Sequence, residues 1–382
     1  MSPAEPPDRP SGSPRGSGPG PGRGPGGSPV AIGLTPILSA HYRPEDLVRI
    51  GAAAPGARIV TVSSEGLADG PLDDVEVCLR GFVPGEGFDR LVARMPRLRW
   101  VHSASAGVER VLSAPIRERG LVVTNARGVF SRPIAEYVLL VILAVSRRLP
   151  QLLELQRERT WQPLEGVEMR DVTVGVVGLG SIGRTVAALA GGLGCRVVAV
   201  RRRPEEGVAA TSAVGGPVAA ELEATAGAGP GGAPGGVHGP LELAAVWGPE
   251  DLPELLAVAD FVVLALPLTP ATEDLIDDEA LGHVKPGAWI INIARGRLID
   301  EHALGRALRG GRLGGAVLDA FREEPLPATS PLYDLPNLVI TPHTSWSSRR
   351  VLDRSIELFC ENLGRYRRGE PLLNVVDAEA RY

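Results

Sequence analysis

The segment Val-Thr-Val-Gly-Val-Val-Gly-Leu-Gly-Ser-Ile-Gly, residues 172–183, decides the fold. Its first half, Val172 to Val177, is a short apolar run of strand character. Gly178, Gly180 and Gly183 then spell G-x-G-x-x-G, and Ile182, Val186 and Leu189 continue at helical spacing. In such a turn the first glycine permits the tight reversal and the second lets backbone N–H groups approach a pyrophosphate. The third lets the helix pack close to the sheet. The helix N-terminus at Ser181 and Ile182 adds partial positive charge for the phosphates. The glycine spelling alone is weak, because residues 22–27 and 227–232 match it inside low-complexity stretches. Only residues 172–183 have a strand before and a helix after, and that frame predicts a dinucleotide site over an ordinary tight turn.

Working outward, the strand after the turn ends in Val200-Arg201-Arg202-Arg203-Pro204. A NAD enzyme usually places an acidic residue there, about 20 residues on, for the ribose 2′-hydroxyl. Guanidiniums at Arg201 and Arg202 would attract a 2′-phosphate instead, which favours NADP(H), with NAD(H) the alternative. The plain reading of the same arginines is a solvated strand end. Further apolar runs follow at Phe261 to Leu266, Trp289 to Asn292, Ala316 to Leu318 and Leu338 to Thr341, separated by helix-sized segments. Near-continuous apolar strands spaced by helices predict a parallel sheet covered on both faces, an α/β doubly wound fold.

Upstream, short apolar runs from Val30 to Leu34, Ala57 to Val62, Val75 to Leu79, Leu98 to His102 and Leu121 to Thr124 predict another α/β unit. A long helix is expected near Pro133, with Ile134, Val138, Val141 and Ile142 on one stripe. Residues 1–29 are dominated by Pro, Gly and Ser and predict a disordered tail; its arginines Arg9, Arg15 and Arg23 are read as solubilising. Residues 207–243, rich in Ala, Gly and Pro, predict a flexible surface insertion between the second strand of the cofactor unit and the next helix.

A chain of 382 residues has room for two domains with a cleft between them. A net charge of -5 without a Lys/Arg block argues against nucleic acid or an anionic membrane as partner and points to small-molecule chemistry. Cys78, Cys195 and Cys360 are far apart, so neither a disulfide framework nor a cysteine metal site is expected, and a reducing cytoplasm is the simplest home. The longest apolar run, Tyr137 to Val145, falls far short of the ~20 residues of a spanning helix. No signal segment opens the chain, and a soluble protein is expected.

Hydride transfer to a 2-keto acid needs a cation for the carboxylate and carbonyl, a proton donor for the developing alkoxide, and a group that keeps the donor charged. Three segments beyond the glycine turn supply them where strand patterns run into loops. Arg295 follows Ile290 to Ala294, Glu324 lies beyond Val317 to Asp319, and His343 follows Leu338 to Pro342. Alone, Arg295 reads as a surface strand end, Glu324 as a loop charge and His343 as one of six histidines. Their order and setting make them a set.

Over residues 30–377, the insertion excepted, the sequence resembles the D-isomer-specific 2-hydroxyacid dehydrogenase family. The resemblance lies in residues 105–109, 125–136, the Gly178 turn, 266–270, 292–296, 319–325 and 341–343. It implies a Rossmann cofactor domain, residues 133–346, inserted into a smaller flavodoxin-like substrate domain of residues 30–132 and 347–382. It gives Arg295 to substrate orientation and carbonyl polarisation, His343 to acid–base chemistry and Glu324 to pairing with His343. A neighbouring carboxylate favours the protonated imidazole that reduction needs. By the same resemblance, backbone N–H groups at Ser105, Ala106 and Gly107 receive the substrate carboxylate. Asp319 binds the nicotinamide carboxamide, and Pro267 and Thr269 line the adenosine side. The substrate class is a small 2-keto or 2-hydroxy acid of the glyoxylate or hydroxypyruvate type, and the family commonly forms homodimers through the cofactor domain.

Two departures stand out: Thr344-Ser-Trp346 replaces the family's run of small residues after the histidine, and Arg201 takes the usual acidic position. Glu324 speaks against the formate enzymes of this fold, which carry a glutamine there. Fewer than 40 residues follow His343, which disfavours a phosphoglycerate enzyme with an appended regulatory domain. The alternative from another class is a dinucleotide-sensing corepressor of the same fold, which Trp346 and the N-terminal tail would suit and the lack of a nuclear targeting run disfavours.

Overall fold

The computed structural model describes residues 30–37, 42–81, 83–108, 111–204 and 243–377. The expected N-terminal tail, Glu109 and all of the 207–243 insertion but Leu243 lie outside them.

Two parallel sheets carry the architecture. The first joins β1 (Ala31–Leu34), β2 (Arg58–Thr61), β3 (Val75–Arg80), β4 (Trp100–Ser103) and β5 (Val122–Asn125) in the order β2-β1-β3-β4-β5, the flavodoxin-like order. One face packs on α2 (Gly85–Ala93) and α3 (Ala114–Glu118) through Phe88, Leu91 and Ile116. The other packs on α1 (Pro44–Ala53) and on the last helix, through Ile50, Phe359 and Leu363. The last helix thus closes a sheet whose strands lie between Ala31 and Asn125.

The second sheet has seven strands: β6 (Thr173–Val177), β7 (Arg196–Val200), β8 (Ala245–Trp247), β9 (Phe261–Leu264), β10 (Trp289–Asn292), β11 (Gly315–Leu318) and β12 (Leu338–Ile340). Their order, β12-β11-β10-β9-β6-β7-β8, grows outward in both directions from the β6/β9 pair, where Val174 to Val177 run beside Phe261 to Leu264. This is the doubly wound order, and its switch point is the crevice between β6 and β9. Successive residues of each strand feed opposite faces. Val176, Val197, Val263 and Ile291 meet α4 (Ser131–Ser146) and α6 (Ser181–Gly192). Val177, Val198, Val262 and Ile290 meet α7 (Leu252–Val258), α8 (Asp278–His283) and α9 (Glu301–Arg309). Burial on both faces is why these strands read as apolar runs instead of alternating ones.

Between α4 and β6 runs α5 (Leu149–Arg157), a helix with no buried residue. The last helix among the described residues is α10 (Val351–Arg368), stopped by Gly369 in left-handed conformation at φ 68.

One expectation holds and one shifts. The long helix starts at Ser131 and keeps Pro133 in its first turn, where its missing N–H leaves no intrahelical bond unmade. Among the described residues, the next element after the second cofactor strand is a strand and not a helix. This is β8, which pairs with the edge of β7 and whose Trp247 carbonyl accepts the Arg201 N–H at 3.0 Å. Three residues against a low-complexity stretch carry too little periodicity to be read as a strand.

Candidate active site

The glycine turn at the end of β6 takes the form its spelling requires. Gly178 has φ 101, open to a residue without Cβ, and a Cβ there would lie 2.6 Å from the Ala265 carbonyl oxygen at the end of β9. A Cβ on Gly183 would collide with the Gly178 carbonyl oxygen, so only glycine lets α6 close on the turn. Gly180 faces open space at the helix N-terminus, leaving its backbone accessible to a ligand. A cradle of this shape fits a pyrophosphate, with α6 starting at Ser181 and Ile182. On the other lip of the switch point, residues 267–272 are fixed by Thr272. Its hydroxyl donates to the Pro267 carbonyl at 2.8 Å and accepts the Thr269 N–H at 2.8 Å.

At the end of β7 stand half-buried Arg201 and exposed Arg202. They have a neighbour the sequence reading missed. Arg184, in the first turns of α6, is held by an Nε donation to the Leu179 carbonyl at 3.1 Å. Burial, then the like charge of Arg201, lowers the Arg184 guanidinium from its ordinary value. Two cations therefore converge beside the turn. The signal was the residue directly after the third glycine.

Arg295, Glu324 and His343 come from the ends of three adjacent strands, β10, β11 and β12. Arg295 leaves β10 on a loop braced by the buried Asn292, whose Nδ2 donates to the Arg295 carbonyl at 2.9 Å and whose Oδ1 accepts the Ala294 N–H at 3.1 Å. Gly296 lets that loop press on the Phe321 and Arg322 backbone, which a Cβ would strike. Glu324 Oε1 accepts the Phe321 N–H at 3.0 Å, which aims the carboxylate. His343 Nδ1 lies 3.1 Å and 2.9 Å from the two Glu324 oxygens. Burial pushes the Glu324 carboxyl upward. Hydrogen bonds from His343 and the Phe321 N–H, with the charges of His343 and Arg295, outweigh it and hold the group below its ordinary value. Facing a carboxylate that only accepts, Nδ1 carries a hydrogen, and Nε2 is left as the nitrogen that gains or yields a proton.

Asp319 and Trp346 bond to the loop that carries His343, while the Ser105–Gly107 loop is held by its own partners. Asp319, buried at the end of β11, accepts from the Thr341 hydroxyl at 2.6 Å and from the Thr344 and Ser345 N–H groups at 2.8 and 2.9 Å. Ser105, Ala106 and Gly107 form a loop after β4 that Asn125 pins by an Nδ2 donation to the Ala106 carbonyl at 2.8 Å; the Ser105 N–H bonds Ser103 Oγ at 3.3 Å. Asn125 itself is held by Asn374, whose carbonyl accepts its N–H at 3.2 Å. Trp346 is tied to the histidine loop. Its Nε1 donates to the His343 carbonyl at 2.7 Å, and its ring meets Phe130 edge-on at 6.3 Å.

Comparison with known proteins gives the same answer at the level of the family. The profile of the D-isomer specific 2-hydroxyacid dehydrogenase NAD binding domain matches residues 139–226 and 241–345. A glyoxylate reductase of Korarchaeum cryptofilum is 31% identical over 293 residues, 74% of this chain and 77% of its own length. A D-3-phosphoglycerate dehydrogenase of Mycobacterium bovis is 37% identical over 267 residues; these are 69% of this chain but 44% of that longer protein. The crystal structure of a D-isomer specific 2-hydroxyacid dehydrogenase from Xanthobacter autotrophicus, in complex with NADPH and MES, superposes with a TM-score of 0.74 at 29% identity. It covers 93% of this chain and 100% of that one. The chain belongs to the D-isomer specific 2-hydroxyacid dehydrogenase family and is an NAD(P)-dependent enzyme of it.

Proposed function

We propose that this dehydrogenase reduces small 2-keto acids of the glyoxylate or hydroxypyruvate type to D-2-hydroxy acids, with NADP(H) as the preferred cofactor. The observation that carries the reading is the His343–Glu324 contact at 2.9 Å, on strand ends next to the one that bears Arg295. The bound dinucleotide supplies the hydride. Arg295 holds the substrate carboxylate and polarises the keto oxygen, and the Ser105–Gly107 loop takes the far side of the carboxylate. His343 Nε2 gives its proton to that oxygen as it becomes a hydroxyl, while Glu324 keeps Nδ1 protonated and the ring oriented. In the oxidative direction the neutral ring receives the proton.

Arg184 and Arg201, both beside the glycine turn, support NADP(H), because guanidiniums suit a 2′-phosphate. In the same reading the seven-stranded sheet and its helices are the cofactor domain, and the five-stranded sheet with α10 is the substrate domain. Three separated free cysteines support a reducing cytoplasm as its place of work. The exposed Leu149, Leu152 and Leu153 of α5, with Leu140 and Leu143 of α4, support a homodimer formed through this face.

Steady-state assay of NADPH and NADH oxidation with a panel of 2-keto acids tests the proposal, run on the wild type and on His343→Ala. Turnover in the wild type and a loss of roughly 100- to 10,000-fold in the variant are expected for removal of an acid–base residue. No turnover with any acid would sink the reading, and a loss below about tenfold would take the role from His343.

A further inference from the structure

His343 has a left-handed backbone, φ 48, a conformation that residues with a Cβ keep only where the surroundings impose it. Four hydrogen bonds impose it. The Asp319 carboxylate accepts the N–H groups of Thr344 and Ser345, the two residues directly after the histidine. The Thr341 hydroxyl, two residues before it, also reaches Asp319 Oδ1, at 2.6 Å. The Trp346 indole closes on the His343 carbonyl.

Thr341 has one hydroxyl proton. Asp319 already collects two backbone donors and is the acceptor of that proton, so the Tyr137 hydroxyl, 2.8 Å from Thr341 Oγ1, is itself a donor. The three groups form a directed chain, Tyr137 O–H to Thr341 O–H to Asp319. It runs from the middle of α4 to the loop that carries the acid–base histidine. Burial, the first influence on the Tyr137 phenol, raises it above its ordinary value and keeps it a donor. Phe130, at the start of the same helix, backs Trp346, so α4 tethers the histidine loop at two points.

We propose that Tyr137 and Thr341 are positioning residues of the reaction: their relay onto Asp319 locks residues 341–345 in the one geometry in which His343 meets its substrate. The proposal rests on the reading of His343 as the acid–base group. Geometry of this kind matters because displacement of a catalytic group by about 1 Å can cost on the order of 100-fold in rate.

The test combines kinetics with a readout independent of turnover, on the full-length wild type, Tyr137→Phe, Thr341→Val, Thr341→Ser and the Tyr137→Phe/Thr341→Val pair. Thr341→Val should lower kcat on the order of tenfold, with KM for the keto acid and Kd for NADPH close to wild type. Thr341→Ser, which keeps the hydroxyl, should restore the rate, and the double variant should be no slower than Thr341→Val, since both changes break one relay. Hydrogen exchange of the ligand-free protein, followed by mass spectrometry, should show peptides spanning 341–347 exchanging faster in Thr341→Val and Tyr137→Phe, with the peptide of the Gly178 turn unchanged. Unchanged exchange, a serine variant as slow as the valine one, or effects that multiply in the double variant would overturn the proposal. A wild type without turnover, but with exchange altered as stated, would count against the proposed reaction and leave the loop lock standing.

Discussion

At the scale of single residues, the sequence already named the groups that the fold places at the candidate site, and the structure adds the His343–Glu324 contact. Arg295, Glu324 and His343 stand at strand ends, and the roles of Gly178 and Gly183 follow from the absence of a Cβ at a tight turn. Less legible were residues whose value lies in a hydrogen bond to something distant in sequence. Tyr137 meets Thr341 across 204 positions, and Asn125 reaches Ala106 across 19. Nothing in the periodicity around them marks a polar side chain as a brace. In the proposed NADP(H) reading, cofactor choice turns on Arg201. Replacing it by aspartate removes one cation of the Arg184–Arg201 pair and places a carboxylate at the ribose. The NADPH-to-NADH preference in kcat/KM should then fall on the order of tenfold, or about 1.4 kcal/mol. An unchanged ratio would leave Arg201 as a solvated strand end.

At the scale of elements, the sheets were readable because burial on both faces writes strands as apolar runs. Eleven of the twelve strands among the described residues were anticipated, and the missing one, β8, is a three-residue edge whose identity depends on pairing with β7. The interior of β4 was less readable. His102 is fully buried there, with Nδ1 2.8 Å from the Thr124 hydroxyl, and burial lowers its imidazole from 6.5 to about 3. Between those values the unfolded chain takes up a proton that the folded chain refuses. The neutral histidine is therefore matched to the fold above pH 6.5, and stability is lost as the pH falls below that value. His102→Leu removes this linkage. Relative to the wild type, the variant should gain about 1.4 kcal/mol of unfolding free energy for each pH unit below 6.5, measured by denaturant titration between pH 6.5 and 4.5. Parallel pH profiles for the two proteins would show that His102 does not titrate out of step with the unfolded chain.

At the scale of the whole molecule, the apolar pattern announced two α/β units, while the return of the C-terminal helix to the first of them was implied only by the family resemblance and is seen in the packing of α10 on that sheet. Such long-range closure leaves no local pattern. The face formed by α4 and α5 is the other whole-molecule feature. A nine-residue helix with no buried residue has little stability in water by itself, and its leucines call for a cover. With a second copy on that face, light scattering after size exclusion should give about twice the 40.1 kDa chain mass, and Leu152→Glu with Leu153→Glu should bring it down to one chain. A wild-type monomer at micromolar concentration would refute the homodimer. The central claim, that this chain moves a hydride from NADPH to the keto carbon of a small 2-keto acid, is tested most directly by isotope transfer. The enzyme is incubated with glyoxylate and NADPH carrying deuterium at both C4 positions, and the product is analysed by mass spectrometry. Glycolate bearing one deuterium on C2 is the expected result; glycolate without deuterium, or no glycolate at all, would contradict the account.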